Sequence, residues 1–223
     1  MDINTQILEK YIPSEASAIV SRLLDPHELE LRIVRSRTTK YGDFNASVRK
    51  KKMPSITINN NLNPYSFLIT LLHEFAHYLV WKDGRFYAKP HGRTWKNHFR
   101  QLMETMMNKG VFPESMLPLL KGHIQNPYAT SCTDVSLFRE LSNFDPDRPG
   151  VYIEDLPDGM VFHTADDRLY RKEKKIRKRI LCTRLKNNKK YLFSPIYKVF
   201  PLKNKQYVMV FPFVFIFLPH KQE

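Results

Sequence analysis

Residues 73–77 read His-Glu-Phe-Ala-His, and their types and spacing can do chemistry. His73 and His77 are four apart, so on a helix they sit one turn apart on one face and both imidazoles reach one ion. Zinc takes nitrogen and sulfur ligands in tetrahedral geometry and, when catalytic, keeps one position for water. Glu74 follows the first histidine directly, which brings its carboxylate toward that water rather than into the ligand set. A zinc ion lowers the pKa of such water to roughly 7. A carboxylate can then take its proton and later deliver it to a leaving amine. The chemistry expected is hydrolysis of a peptide bond with one Zn2+ and Glu74 as the base.

A third ligand has to come from elsewhere. One extended form of the motif would place glycine at 80 and histidine at 83, but those positions are Val80 and Asp83. The downstream candidates are His91, His98, Glu104 and Glu114. His91 precedes Gly92 at the start of a second helical pattern, and Lys89-Pro90 would fix its approach. His98 lies about 10 Å further along that helix, so His91 and His98 cannot serve the same ion. His91 is the favoured third ligand, with Glu104 the runner-up.

These side chains need rigid elements. Asn63-Pro64 is a helix start, with Asn as N-cap and Pro in the first turn. The helix then runs through Phe67, Leu68, Leu71, Leu72, Phe75 and Leu79. A second begins near Gly92 and continues through Trp95, Phe99, Leu102, Met103 and Met106 to a Lys109-Gly110 stop. Upstream, 5–11 and 14–24 read as helices. Residues 29–36, 41–49 and 55–59 read as strands, with period-two alternation in Leu31/Ile33 and Ile56/Ile58. Further on, 151–153, 160–163, 178–185 and 190–197 are short and strand-like, with Asn187-Asn188 suited to a tight hairpin. The fold class expected is α+β.

The 223 residues carry a formal charge of +14, unevenly distributed. Residues 1–122 have a net charge of +7, 123–167 of −7 and 168–223 of +14. A boundary is expected between Leu120 and Pro146, with 123–145 as an acidic connector. The excess of base implies a polyanionic partner. Between Arg168 and Lys190 twelve Lys/Arg face one acid, Glu173. Arg171, Lys172, Lys174, Lys175, Arg177, Lys178, Arg179 and Tyr191 are the candidate nucleic-acid contacts, bases neutralising phosphates and aromatic faces stacking on unpaired bases. An equally weighted reading makes the segment a solvated hairpin edge.

Cys132 and Cys182 are too few for a disulfide framework and form no CxxC pair. The first ten residues lack the basic end and apolar run of a signal peptide, so cytoplasm is expected. The apolar stretch 207–219, broken by Pro212, is shorter than the ~20 residues of a spanning helix, so no membrane partner is expected. Its role has no account in the sequence.

HEFAH, then His91 in the run PHGRTWK, preceded by Arg37, Thr39 and Gly42 and by the ITIN strand, resembles the SprT-like family over approximately residues 5–122. This family includes bacterial SprT proteins and the protease Spartan, which acts on proteins attached to DNA. The resemblance implies a zincin-like metalloprotease core over 1–122, with His73, His77 and His91 as zinc ligands and Glu74 as general base. Gly92 and Trp95 would be structural neighbours of the third ligand. SprT proteins commonly end in a zinc ribbon with two CxxC pairs. Here 146–206 keeps a hairpin-like design with only Cys182, so a metal-free, basic β-rich module is expected, then an apolar tail over 207–223. The function expected is a zinc endopeptidase on protein substrates, including proteins bound to DNA. The alternatives are a nucleic-acid-associated regulator with a structural ion, and a metallohydrolase of small amides.

Overall fold

The computed structural model describes residues 3–37, 39–46, 53–85, 88–125, 127, 134–146 and 149–202. Its contacts divide the chain into two units, Met1–Arg148 and Pro149–Glu223. Cys132 and the 207–219 stretch lie outside the described residues. Among the described residues no helix is long and apolar enough to cross a membrane.

The first unit opens with helices α1 (Ile3–Leu8) and α2 (Ser14–Leu24). Strands β1 (Glu30–Val34), β2 (Gly42–Asn45) and β3 (Ser55–Asn59) follow. They form a sheet of order β1-β3-β2, in which β3 pairs parallel with β1 and antiparallel with β2. The alternation in SITIN predicted one buried face, and Ile56 and Ile58 are fully buried in the central strand. An Arg37–Asn59 clasp ties the turn before β2 to β3. Arg37 Nε donates to Asn59 Oδ1 (2.9 Å), and the Asn59 amide donates to the Arg37 and Lys40 carbonyls (3.0 and 2.9 Å).

Helix α3 (Pro64–Lys82) starts as the Asn63-Pro64 pair predicted: Asn63 Oδ1 accepts the Ser66 N–H at 2.9 Å. It packs between the sheet and α4 (Arg93–Asn108), and Phe67, Leu68, Leu71, Leu72 and Phe75 are all buried. Each such burial contributes about 1.5–3 kcal/mol. Two helices unforeseen in the sequence, α5 (Leu117–Gln125) and α6 (Val135–Ser142), complete the unit. Leu137 and Leu141 of α6 sit in the same core as α3 and α4. The Asn63 amide donates to the Leu141 carbonyl (2.9 Å) and to Asp145 (2.7 Å). Residues 135–145, expected within a connector, are thus tied to the start of the central helix.

The second unit is a six-stranded antiparallel sheet of order β4-β9-β5-β6-β7-β8. The strands are β4 (Val151–Tyr152), β5 (Val161–His163), β6 (Leu169–Ile176), β7 (Arg179–Arg184), β8 (Lys190–Phe193) and β9 (Lys198–Pro201). Its core is built from Ile153, Leu156, Phe162, Tyr170, Ile180, Cys182 and Val199. Where a ribbon-like module was expected, Cys182 is a fully buried core residue of a larger sheet. Burial pushes its thiol up to about 12.

Candidate metal centre

The first two histidines come from the middle of α3, where the helix ladder fixes their spacing. The third comes from a turn. Gly92 N–H donates to the Lys89 carbonyl at 2.9 Å, with Pro90 and His91 at the two corners and His91 at φ +56°. Proline at the first corner and a left-handed residue at the second is the type II pattern, and histidine is among the side chains that tolerate it. A β-carbon on residue 92 would stand 2.8 Å from the Lys89 carbonyl oxygen, so glycine lets the turn close before Gly92 caps α4.

The turn brings the ring of His91 onto the helix-borne pair. His91 Nε2 lies 3.0 Å from His73 Nε2 and 3.0 Å from His77 Nε2. One ligand atom from each residue falls within 4.8 Å of the others, a group that could hold a metal ion. Tetrahedral nitrogen ligands at 2.0–2.1 Å from zinc stand about 3.3 Å apart, so the spacing fits such an ion. Burial, and then the neighbouring histidines, lowers His73 to about 2 and His77 to about 4; burial lowers His91 as well. The imidazoles are therefore neutral at physiological pH, with lone pairs available for a cation.

Trp95, fully buried on the first turn of α4, backs all three rings. Its ring centroid lies 4.6 Å from that of His73, 5.4 Å from His77 and 4.5 Å from His91. The indole N–H donates to the His73 carbonyl at 3.3 Å. Phe99 stacks on Trp95 at 5.0 Å, and behind it the buried His123 faces Asp134 at 3.4 Å. Asp134 also caps α6 by accepting the Leu137 N–H.

Glu74 points to the sheet side of α3 and is 9% exposed. Loss of solvent, then the charge of Asp43, raises its carboxyl to about 7. A hydrogen bond from the Phe44 N–H and the cations Lys40 and Arg37 oppose that rise. A carboxyl in this range is half ionised near neutral pH, which suits a proton acceptor. The role of β2 escaped the sequence reading, although a glycine inside a strand pattern is the usual sign of close backbone approach.

The other ligand candidates stand apart. His98 Nε2 bonds Asp83 at 2.9 Å, while Glu104 and Glu114 are exposed and join no metal-holding group among the described residues. In the second unit, Arg171, Lys174, Lys175, Arg177, Lys178 and Arg179 are exposed. Lys172 is a correction: it is 6% exposed, and its ammonium donates to the Glu154 and Leu156 carbonyls and lies 3.4 Å from Asp158. Alternation along β6 turns it inward with Tyr170. Tyr191 likewise faces the core, edge-on to Tyr170 at 5.5 Å.

Residues 18–116 match the SprT-like family model, a span from α2 to just beyond α4 that contains all three histidines and Glu74. Comparison with the curated proteins gave no match, and comparison with the solved structures gave none.

Proposed function

We propose that this chain, SprT-like over residues 18–116, is a zinc-dependent endopeptidase with a zincin-type core. The observation that carries the reading is the meeting of three imidazole nitrogens, two from α3 and one from the Lys89–Gly92 turn, beside a buried carboxylate on the same helix. His73, His77 and His91 would hold the ion. When bound, zinc supplies a Lewis acid for the scissile carbonyl and acidifies water.

The protein groups do the rest. The Glu74 carboxylate accepts a proton from the attacking water as the new C–O bond forms. It returns that proton to the amide nitrogen as the C–N bond breaks. The second water proton passes from the new carboxyl group to the freed amine, leaving a carboxylate and an ammonium group. Phe44 N–H orients the Glu74 carboxylate from β2, and Trp95 holds the imidazoles in register from behind. The net charge of +14 supports substrates presented on nucleic acid.

The test pairs wild type with Glu74→Gln, both loaded with zinc, on an unfolded protein substrate. Wild type is expected to cut it, and the variant to keep its metal while losing cleavage by a factor of about 10² or more. Cleavage by the variant at the wild-type rate would remove Glu74 from the reaction. A wild type that binds zinc yet cuts nothing would favour a structural ion.

A further inference from the structure

The tip of the β6–β7 hairpin spends five of its six residues on positive charge. Lys174, Lys175, Arg177, Lys178 and Arg179 are all exposed, and Ile176 between them is 39% exposed. None of the five makes an ion pair among the described residues. Ile176 pairs with Arg179, so Arg177-Lys178 is a two-residue loop, and Arg177 sits at φ +53°. Left-handed backbone is cheap for Gly, Asn and Asp and costly for a long side chain. Two other turns of this unit place Asp167 (φ +57°) and Asn188 (φ +54°) at that conformation. The basic tip accepts the strain with arginine.

We propose that this hairpin is a docking surface for the phosphate backbone of double-stranded nucleic acid. A two-stranded ribbon fits a major groove about 12 Å wide, and Lys and Arg side chains on both strands meet phosphates with no call on base identity. The aromatic positions decide against an unpaired strand. Single strands are held by bases stacking on exposed rings, whereas Tyr170, Tyr191 and Phe193 turn into the core and pack on one another, with centroids 5.0 Å (Tyr170–Phe193) and 5.5 Å (Tyr170–Tyr191) apart. Tyr197 is exposed but leans edge-on against Phe193. An anionic membrane is the poorer fit, because a flat surface attracts basic residues by about 1 kcal/mol each and Ile176 is the one apolar residue of the tip that could insert, whereas a groove lets both strands of the ribbon meet phosphates. The inference stands apart from the peptidase reading, since no tip residue belongs to the metal centre.

The test measures fluorescence anisotropy of the full chain with a labelled duplex of about 20 base pairs, the matching single strand, and anionic vesicles. Four phosphate contacts imply a roughly 10²-fold loss of duplex affinity between about 50 and 200 mM salt. Lys175→Ala/Arg177→Ala/Lys178→Ala/Arg179→Ala should flatten that dependence and weaken duplex binding at least about tenfold at low salt. A charge-matched control, Lys10→Ala/Arg35→Ala/Lys109→Ala/Lys121→Ala, removes four exposed charges from the first unit and should change much less. Arg177→Asn separates role from fold: it should raise the melting temperature by relieving the left-handed arginine while lowering duplex affinity. Equal weakening by both quadruple variants would mean diffuse attraction to net charge and overturn the hairpin. Single strand bound as tightly as duplex, or vesicles bound in its place, would overturn the choice of partner.

Discussion

Gly42 on β2 lies directly against Glu74 on α3. A β-carbon at residue 42 would stand 2.8 Å from Glu74 Cγ, 3.0 Å from its Oε1 and 2.7 Å from Thr70 Cγ2. The same strand offers Phe44 N–H to the carboxylate, so β2 both crowds and orients it. Gly42→Ala must therefore push Glu74 aside or lift the strand. With zinc retained, kcat should fall about tenfold or more, equivalent to about 1.4 kcal/mol. Adding Thr70→Ser to the variant removes the methyl that blocks the strand but leaves the crowding at Glu74, so stability should recover while kcat stays low. Recovery of both together would reduce Gly42 to a packing residue.

Glu74 also gives stability a pH dependence of known sign. Its carboxyl is raised from 4.5 to about 7 in the fold, chiefly by burial. The folded state thus binds the proton more tightly than the unfolded chain, a contribution present below the unfolded value and lost as pH rises through about 7. Glu74→Gln cannot ionise. In the metal-free protein its stability relative to wild type should increase from about pH 5 to about pH 8, by up to about 3 kcal/mol. Urea titrations at the two pH values measure this, and a difference that shrinks with pH would contradict the buried carboxylate.

His73 and His77 act in the opposite sense. Their folded values lie below 6.5, so stability they contribute is present above that pH and is lost as pH falls toward about 4 and then about 2. In the metal-free Glu74→Gln protein, which lacks the opposing carboxyl, melting temperatures should drop from about pH 7 to about pH 5, and adding His77→Ala should lessen the drop. A flat profile over that range would mean the imidazoles are solvated.

Trp95 is the plate on which the three rings rest. Trp95→Ala should cost about 3–5 kcal/mol in stability. It should also weaken zinc about 10–100-fold in competition with a chelator, as loss of a supporting residue does. Trp95→Phe keeps a ring and loses the N–H to His73, so its losses should be smaller. Unchanged zinc affinity in the alanine variant would show that the helix and turn alone fix the histidines.

Cys182 sits at the centre of the second core, its thiol pushed up to about 12 by burial. In a Cys132→Ser background it should resist a thiol reagent at about pH 8 in the native state and react at once in denaturant, because only the thiolate attacks. Rapid native reaction would contradict the six-stranded core.

Much of the first unit was legible because its signals are local. SITIN alternates, Asn63-Pro64 caps a helix, and HEFAH falls in register with the apolar positions around it, so β3, α3 and the helix-borne histidines follow from short windows. Other features depend on contacts far away in sequence. Helix α6 carries local signals, an Asp134 N-cap and the i, i+4 pair Leu137/Leu141, but at eight residues it is too short to stand alone. What it packs on is set by the core it shares with α3 and by Asn63, more than seventy positions earlier, whose amide binds the Leu141 carbonyl. Strand β6, LYRKEKKI, reads as a solvated charged run until Lys172 is seen turned inward onto two carbonyls. In the metal centre the ligand types were visible, but the left-handed turn that aims His91 and the glycine that admits Glu74 are properties of backbone approach, which sequence spacing does not encode.

Elemental analysis of purified wild type beside His91→Ala tests the three-imidazole centre most directly. One zinc per chain in the wild type, lost or greatly weakened in the variant, is the expected result. Equal zinc in both proteins would contradict it, because the ion would then be held without the turn that brings His91 to within 3.0 Å of His73 and His77.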